Sequence, residues 1–183
     1  MKVTTTSIAG VLLFTPAPDR DGRGMFSRTF DADVARDSGI DPNGFVQDSL
    51  SRSAKGVVRA LHVRTGRGEA KFVRCSYGAI FDVVVDLRRE SPTFLVWESF
   101  DLTGDNQCSV YIPAGCAHGF QALTDPADIT YRIDRRHDPS EDLNFAFDDP
   151  RLGIRWPAPI SIMSARDQRA PTLVEAGVIG VAD

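Results

Sequence analysis

Apolar and polar residues alternate in short runs along most of the chain. Segments with Gly, Pro, Asp and Asn separate these runs, which is the pattern of β-strands joined by turns. The predicted strands are Phe45–Ser49, Val57–Val63, Phe72–Cys75, Ile80–Leu87, Phe94–Asp101, Ser109–Ile112, Gly119–Leu123 and Ile129–Ile133. Their spacing of roughly 8 to 15 residues is typical of an antiparallel sandwich or a jelly-roll barrel. The sequence therefore predicts an all-β fold.

The N-terminal part of the chain predicts one more strand and a helix. Residues 2–14 alternate loosely and end in an apolar run, which indicates a strand. Asp31 or Asp33 can cap a helix, and Gly39 can end it. We therefore expect a short helix over residues 31–38.

The C-terminal part follows a different pattern. Beyond Asp138, turn-forming residues are frequent and periodic apolar positions are few. Residues 138–183 are therefore predicted to form a wrapping segment with short helical turns that packs on the barrel. We expect residues 1–183 to form a single domain, since this length suffices to bury one core.

Composition and charge exclude several classes of function. The net charge of −4 provides no extended basic surface for a phosphate backbone, so we expect no nucleic acid partner. The N-terminal apolar stretch is short and interrupted, and indicates neither a signal peptide nor a membrane span. Cys75, Cys108 and Cys116 are odd in number and lack metal-site spacing, which favours a reducing, cytoplasmic compartment.

Three titratable residues lie on successive predicted strands. His62, Lys71 and Asp82 can meet inside one sheet or barrel, where they would form a candidate site of proton transfer. The alternative is that His62 is a hydrogen-bonded core residue and Lys71 an edge charge. Arg23 has a glycine on each side, so its backbone can approach a ligand closely, although a surface arginine in a turn fits equally well.

A series of short motifs follows one another in the order and spacing of a known family. The motifs are Asp21–Phe26, Phe45–Asp48, Ser51–Ser53, Lys55–Arg59, Leu61–His62, Lys71–Arg74, Phe81–Arg88, Ser91–Phe94, Pro113–Phe120, Tyr131 and Asp148–Pro150. In these motifs the chain resembles the dTDP-4-dehydrorhamnose 3,5-epimerases, from about Lys2 to about Pro171. It resembles a divergent member.

The resemblance implies a cupin-type jelly-roll barrel with a few short peripheral helices and no cofactor. It also implies a homodimer, in which an N-terminal strand within about residues 1–30 is exchanged between subunits. The sequence separately argues against a metal, because a metal cupin usually needs three imidazoles and a carboxylate. This chain has only His62, His118 and His137, and Arg64 stands where a second ligand would be expected.

The implied reaction inverts C3, C5 or both in a nucleotide-diphosphate 4-keto-6-deoxyhexose, for deoxysugar precursors of polysaccharides such as lipopolysaccharide O-antigen. Inversion next to a ketone needs a base, an acid on the opposite ring face and a cation beside the enolate. By resemblance, His62 is the base, Asp167 is its hydrogen-bonding partner, Lys71 stabilises the enolate and Tyr131 donates the proton. Ile129, Tyr131 and Ile133 share one side of a strand, so Tyr131 should point into the barrel.

Other matching positions are expected to bind substrate. His118 and Asp82 have supporting roles, Arg23, Gln47 and Arg59 hold the diphosphate, and Phe26 completes the neighbouring subunit's pocket. Arg59 and His62 are three residues apart, which in a regular strand puts them on opposite faces. Both can line the pocket only if the strand bends or bulges there.

Some positions depart from the family pattern. They are Arg28 for Glu, Ser49–Leu50 for Asn-His, Val63–Arg64 for an aromatic residue and Gln, His137 for Tyr, and Phe147 for Trp. A guanidinium only donates hydrogen bonds, so Arg28 suits the N3 and O2 acceptors of cytosine better than thymine. The resemblance implies that this position lies near the nucleotide base, so we predict a preference for cytosine. The alternative is that Arg28 extends to solvent or to a diphosphate, which leaves the choice of base unaffected. Two other functions stay open: related sugar-nucleotide chemistry, such as a ketoisomerase or dehydratase, and a non-catalytic sugar-binding cupin.

Overall fold

The structure is a computed structural model that describes residues 1–180 and is built mainly of antiparallel strands. The strands are β1 Lys2–Thr5, β2 Leu12–Thr15, β3 Asp19–Asp21, β4 Gly24–Phe26, β5 Gln47–Ser53, β6 Val58–Arg64, β7 Lys71–Tyr77, β8 Ala79–Asp86, β9 Trp97–Thr103, β10 Ser109–Ile112, β11 Cys116–Ala122, β12 Ala127–Ile133 and β13 Asp142–Asn144. The helices are α1 Ala32–Asp37, α2 Ala165–Gln168 and two 3-10 turns, Pro42–Gly44 and Pro139–Glu141. Residues 181–183 of the predicted wrapping segment lie outside the described residues.

Two sheets face each other and form the sandwich. The six-stranded sheet has the order β1-β2-β10-β7-β12-β5, and the five-stranded sheet has the order β13-β6-β11-β8-β9. All neighbouring strands in both sheets are antiparallel. The prediction of an all-β jelly-roll fold with a few short helices is confirmed.

Most predicted elements are present, with local differences among the strands. The predicted helix is α1, and the Asp31 side chain caps it by accepting from the amides of Asp33 and Val34. The strand expected from Phe94 begins only at Trp97, because residues 91–96 form turns and Leu95 has a φ of 65°. Strand β13 was not predicted, since only its pairing with β6 makes this short segment extended.

Apolar side chains form three layers around the two sheets. The central layer lies between the sheets and includes Val73, Val84 and Ile129. A second layer covers the outer face of the five-stranded sheet, where the C-terminal residues Leu152 and Leu173 pack. A third layer places α1 against Phe14 and Phe72 on the six-stranded sheet. The outer layers leave the ends of the sandwich free for polar side chains.

The N-terminal segment is attached to its own chain at several points. Strand β1 pairs with β2, and β2 pairs with β10. The Ala9 amide donates to the Thr93 hydroxyl, and the Ala9 carbonyl accepts from Arg88. The β3–β4 hairpin, in contrast, forms a separate two-stranded sheet whose six strand residues are all exposed.

Candidate active site

A cavity of about 300 Å³ opens between the two sheets. Both sheets contribute side chains to it, because inward positions on facing strands point into the same space. The predicted site residues that line it are Gln47, His62, Lys71, His118 and Tyr131. Strands β6 and β11 of the five-stranded sheet carry His62 and His118, whereas Tyr131 lies on β12 of the six-stranded sheet. The cavity therefore has an imidazole wall and a phenol wall.

His62 and Asp167 form a hydrogen-bonded pair at this cavity. His62 Nε2 lies 2.7 Å from Asp167 Oδ1, although 105 residues separate them in sequence. Helix α2 positions the carboxylate, and its N-terminal residue Ser164 accepts from the Asp167 amide at 3.1 Å. The hydrogen bond that the resemblance implied is present.

The surroundings of Asp167 keep it ionised. Burial by itself would raise the pKa of Asp167, but the hydrogen bond and charge of His62 act in the opposite direction. Ser164 and Arg166 add to this effect, so the pKa lies below its ordinary value. An ionised Asp167 accepts the Nε2 hydrogen of His62, which leaves Nδ1 as the nitrogen that can accept a proton.

An irregularity in β6 brings Arg59 and His62 to the same side. In the pairing of β11 with β6, His118 lies opposite His62 and Phe120 opposite Arg59, so the register shifts between them. Gly119 lies opposite the two bulged residues Ala60 and Leu61, whose peptide bond is cis. Arg59 lines a second cavity of about 400 Å³ together with His62 and Asp167. The sequence did not decide whether β6 bends between Arg59 and His62, and the register shift provides this bend.

A second imidazole–carboxylate pair lies next to the first. His118 Nε2 is 2.6 Å from Asp82 Oδ2, and both residues are buried. Asp82 therefore lies behind His118 rather than in the cavity wall. The His118 ring meets the ring of Tyr131 edge to face, with centroids 6.1 Å apart. This contact joins the two sheets at the cavity.

The hydroxyl of Tyr131 is held in its protonated form. Burial raises the pKa of Tyr131 well above its ordinary value, and the carboxylate of Asp82 raises it further. The nearby cation of Arg59 opposes these effects without overcoming them. A neutral phenol in the cavity can donate a proton but cannot serve as a base near neutral pH.

The structure does not bring Arg23, Phe26 and Arg28 into this cavity. Arg23 lies on the exposed hairpin, where it forms an ion pair with Asp21 at 2.6 Å. Phe26 ends the hairpin and is 73% exposed. Arg28 donates to Asp31 at 3.0 Å. Within one chain these three residues are separate from His62.

The cavity also has charged residues that the sequence reasoning did not assign to it. Glu69, Asp142 and Arg166 line it, and Arg166 also lines the adjacent cavity with Asp167. Arg166 directly precedes Asp167 on α2, and the sequence analysis assigned it no role. Glu69 and Asp142 carry no local signal, because only the pairing of distant strands brings them to the cavity.

Residues 1–180 contain neither a metal-binding cluster nor a membrane-spanning helix. Within this range, no group of three or more His, Cys, Asp or Glu side chains is arranged to hold a metal ion. No helix in the same range is long and apolar enough to cross a bilayer.

Comparison with known proteins matches this architecture. The family model of dTDP-4-dehydrorhamnose 3,5-epimerase matches residues 5–175. The dTDP-4-dehydrorhamnose 3,5-epimerase of Escherichia coli K12 is 39% identical over 177 residues, which cover 96% of each chain. The dTDP-4-dehydrorhamnose 3-epimerase of Streptomyces niveus is 38% identical, over 99% of this chain and 88% of the relative.

A solved structure shows the same fold. The chain is similar to a dTDP-6-deoxy-D-glucose-3,5-epimerase of Legionella pneumophila, solved in complex with dTDP-4-keto-L-rhamnose. The two are 35% identical and superpose with a TM-score of 0.90, over 97% of this chain and 96% of the other. With the family model and these relatives in agreement, the chain belongs to the dTDP-4-dehydrorhamnose 3,5-epimerase family and is an isomerase that epimerises nucleotide-linked 4-keto-6-deoxy sugars.

Proposed function

We propose that His62 removes a proton beside the C4 ketone of the bound sugar and that Tyr131 returns one to the opposite face. The main support is that the two side chains line one cavity from facing sheets. Inversion of a carbon centre requires removal of the proton on one face and delivery on the other. A base and an acid on opposite walls meet this requirement.

The hydrogen bond of Asp167 makes His62 the base. Because Asp167 accepts from Nε2, the lone pair of Nδ1 is the one that takes the proton. The carboxylate also stabilises the imidazolium that results, as in other catalytic imidazole–carboxylate pairs. Asp167 therefore acts through His62.

Lys71 supplies the cation for the enolate. Its ammonium is buried at the cavity, where a charge acts more strongly on a developing oxyanion than it does in water. Lys71 Nζ donates to Glu69 at 3.2 Å, which uses one of its three hydrogens. Two hydrogens remain for the C4 oxygen.

The diphosphate has candidate ligands beside the sugar. Arg59 lines the cavity adjoining His62, and its one side-chain partner among the described residues is the Ser53 hydroxyl at 3.1 Å. Its guanidinium is therefore available to an anionic ligand. Gln47 lines the sugar cavity on the other sheet. His118 and Asp82 orient the wall that the five-stranded sheet forms.

A second subunit completes the pocket. The exposed β3–β4 hairpin carries Arg23 and Phe26 away from its own cavity, and Phe26 has no place in the apolar layers of its own chain. In a homodimer this hairpin would bring an arginine to the partner's diphosphate site. The exchanged element is then the hairpin of residues 19–26, since β1 and β2 pair within their own sheet.

Solvent-deuterium incorporation tests the proposed reaction. With a dTDP-linked 4-keto-6-deoxyhexose in deuterium oxide, we expect deuterium at C3, C5 or both. His62→Ala and Asp167→Ala should each lower the rate by about 10²- to 10⁴-fold, as is typical for loss of a general base. Asp33→Ala removes an exposed carboxylate of α1 and should leave the rate unchanged.

The pattern of labelling separates the alternatives. The relatives include both a 3,5-epimerase and a 3-epimerase, so the positions of deuterium decide how many carbons are inverted. A moved carbonyl or a lost water would indicate a ketoisomerase or a dehydratase instead. Binding without exchange would indicate a sugar-binding protein, and near-normal exchange by His62→Ala would exclude this residue as the base.

Arg28 predicts the choice of nucleotide base. Contact with cytosine requires Arg28 to leave Asp31, and an exposed ion pair of this kind is worth only about 0–1 kcal/mol. We expect calorimetry to show tighter binding of CDP than of dTDP, by roughly 5- to 150-fold, because one mismatched buried polar group costs about 1–3 kcal/mol. Arg28→Glu should reverse the order. Equal or tighter dTDP binding by the unmodified protein would contradict the prediction.

A further inference from the structure

Next to the catalytic wall, one carboxylate lies between two cations. Glu69 Oε2 is 2.6 Å from Arg64 Nε, and Glu69 Oε1 is 3.2 Å from Lys71 Nζ. All three side chains are less than a tenth exposed, and all three line the sugar cavity. Each oxygen of Glu69 therefore has its own cation.

The other contacts of Arg64 fix its guanidinium in this place. It contacts His137 Nδ1, donates to the Asp138 carbonyl at 3.4 Å and lies 3.7 Å from Asp142. Asp142 also pairs with Arg166 at 3.3 Å, and Glu69 is the closer carboxylate partner of Arg64. Arg64 and His137 are both departures from the family pattern, and in the structure they touch.

We propose that Arg64 is a positioning residue for catalysis: by pairing with Glu69, it keeps the cationic field of Lys71 available to the enolate. This inference rests on the proposed role of Lys71. This trio of Arg64, Glu69 and Lys71 carries a net charge of +1. One oxygen of Glu69 orients Lys71, and Arg64 neutralises the other oxygen. Without Arg64, the full charge of Glu69 faces Lys71, and the field at the C4 oxygen is cancelled.

A double-mutant cycle tests this charge balance. Arg64→Gln leaves the trio neutral, and Glu69→Gln leaves two adjacent buried cations without their carboxylate, which favours the neutral amine of Lys71 and removes its charge from the enolate. Each should lower kcat on the order of tenfold, which is less than the 10²- to 10³-fold cost of losing a direct oxyanion donor. The double variant returns the net charge to +1 and should recover kcat to within about threefold of the unmodified protein. KM should change little, because the effect arises with the enolate.

Two matched measurements distinguish charge from shape. Arg64→Lys keeps the cation and should retain most of kcat. Thermal denaturation confirms that every variant is folded at the assay temperature. If Arg64→Gln does not fold, loss of kcat in both Arg64→Lys and the double variant would overturn the proposal. An unchanged kcat with a raised KM in Arg64→Gln would also overturn it, since Arg64 would then serve binding alone.

The charge balance has a readout that needs no turnover. Acetic anhydride modifies only the unprotonated amine, so mass spectrometry of the Lys71 peptide reports the charges around Nζ. Loss of the Arg64 cation should slow acetylation, loss of the Glu69 carboxylate should speed it, and the double variant should lie between them. If the acetylation rates follow this order but the protein shows no deuterium exchange, the proposed function is wrong and the coupling of Arg64 to Lys71 through Glu69 still holds. If deuterium exchange occurs but the acetylation rates do not follow this order and the double variant does not recover kcat, the coupling is wrong and the proposed function still holds.

Discussion

At the scale of single residues, position on a strand decides which protonation chemistry a side chain can perform. We propose His62 as the base because an ionised carboxylate holds its Nε2 hydrogen and leaves Nδ1 free. We propose Tyr131 as the acid because burial and the charge of Asp82 keep its hydroxyl protonated. The two roles follow from what surrounds each group rather than from its type alone.

Replacement of the phenol should separate the two halves of the reaction. We predict that Tyr131→Phe preserves deuterium exchange at the abstracted position but lowers completed inversion by about 10²- to 10⁴-fold, as expected for loss of a general acid. The ring and its edge contact with His118 remain, so the fold is unaffected. Nuclear magnetic resonance follows exchange and product in one sample, and equal loss of both would refute the separation of roles.

At the scale of elements, the pairing of β6 with β11 sets the geometry of the site. The two strands carry His62, Arg59 and His118, and their register shifts by one residue within this stretch. A β-carbon added at Gly119 would lie 2.4 Å from the β-carbon of Ala60 and 3.0 Å from the Arg59 carbonyl oxygen. The close approach of the strands at the bulge therefore requires glycine at this position.

Gly119→Ala should disturb both stability and activity. We expect overpacking of this kind to lower the free energy of unfolding by about 1–3 kcal/mol and to slow exchange, because β6 must move with His62 on it. Gly44→Ala is the control, since an added β-carbon there makes only an ordinary contact at 3.7 Å. Urea denaturation measures the free energy of unfolding of both variants. An unchanged value for Gly119→Ala would mean that the strands adjust without cost.

At the scale of the whole molecule, one chain brings the proposed catalytic side chains together but leaves Arg23 and Phe26 apart from them. The sugar cavity takes side chains from β5, β6, β7, β11, β12, β13 and α2, and the adjacent cavity takes them from β5, β6 and the C-terminal segment. The hairpin with Arg23 and Phe26 lies apart from them. A homodimer in which each hairpin serves the other pocket accounts for both observations.

Mixed subunits test this assembly. When Arg23→Ala and His62→Ala chains are co-expressed, heterodimers should contain one intact pocket, and roughly a quarter of all pockets should be active for random pairing of two sites per dimer. His62→Ala mixed with Asp167→Ala should give no recovery, because both residues come from the same chain. Light scattering reports the dimer, and equal activity of the two mixtures would refute the exchange.

The sequence alone determined the elements of this protein and its family. Alternation of apolar residues predicts most strands of both sheets, because side chains of a strand that is buried on one face alternate between the core and solvent. The Asp31 cap predicts α1, since capping is a local hydrogen bond. The ordered motifs identify the family, and they name the residues that would perform its chemistry.

The tertiary structure decided which of these residues meet. Asp167 contacts His62 across 105 residues and Arg64 contacts His137 across 73, and no local pattern encodes such pairs. Arg59 faces the same way as His62 only because of a register shift, which depends on the partner strand and on Gly119. Periodicity reports the face of a strand on which a side chain lies, whereas contacts depend on how distant strands are paired, and only the folded chain determines that pairing.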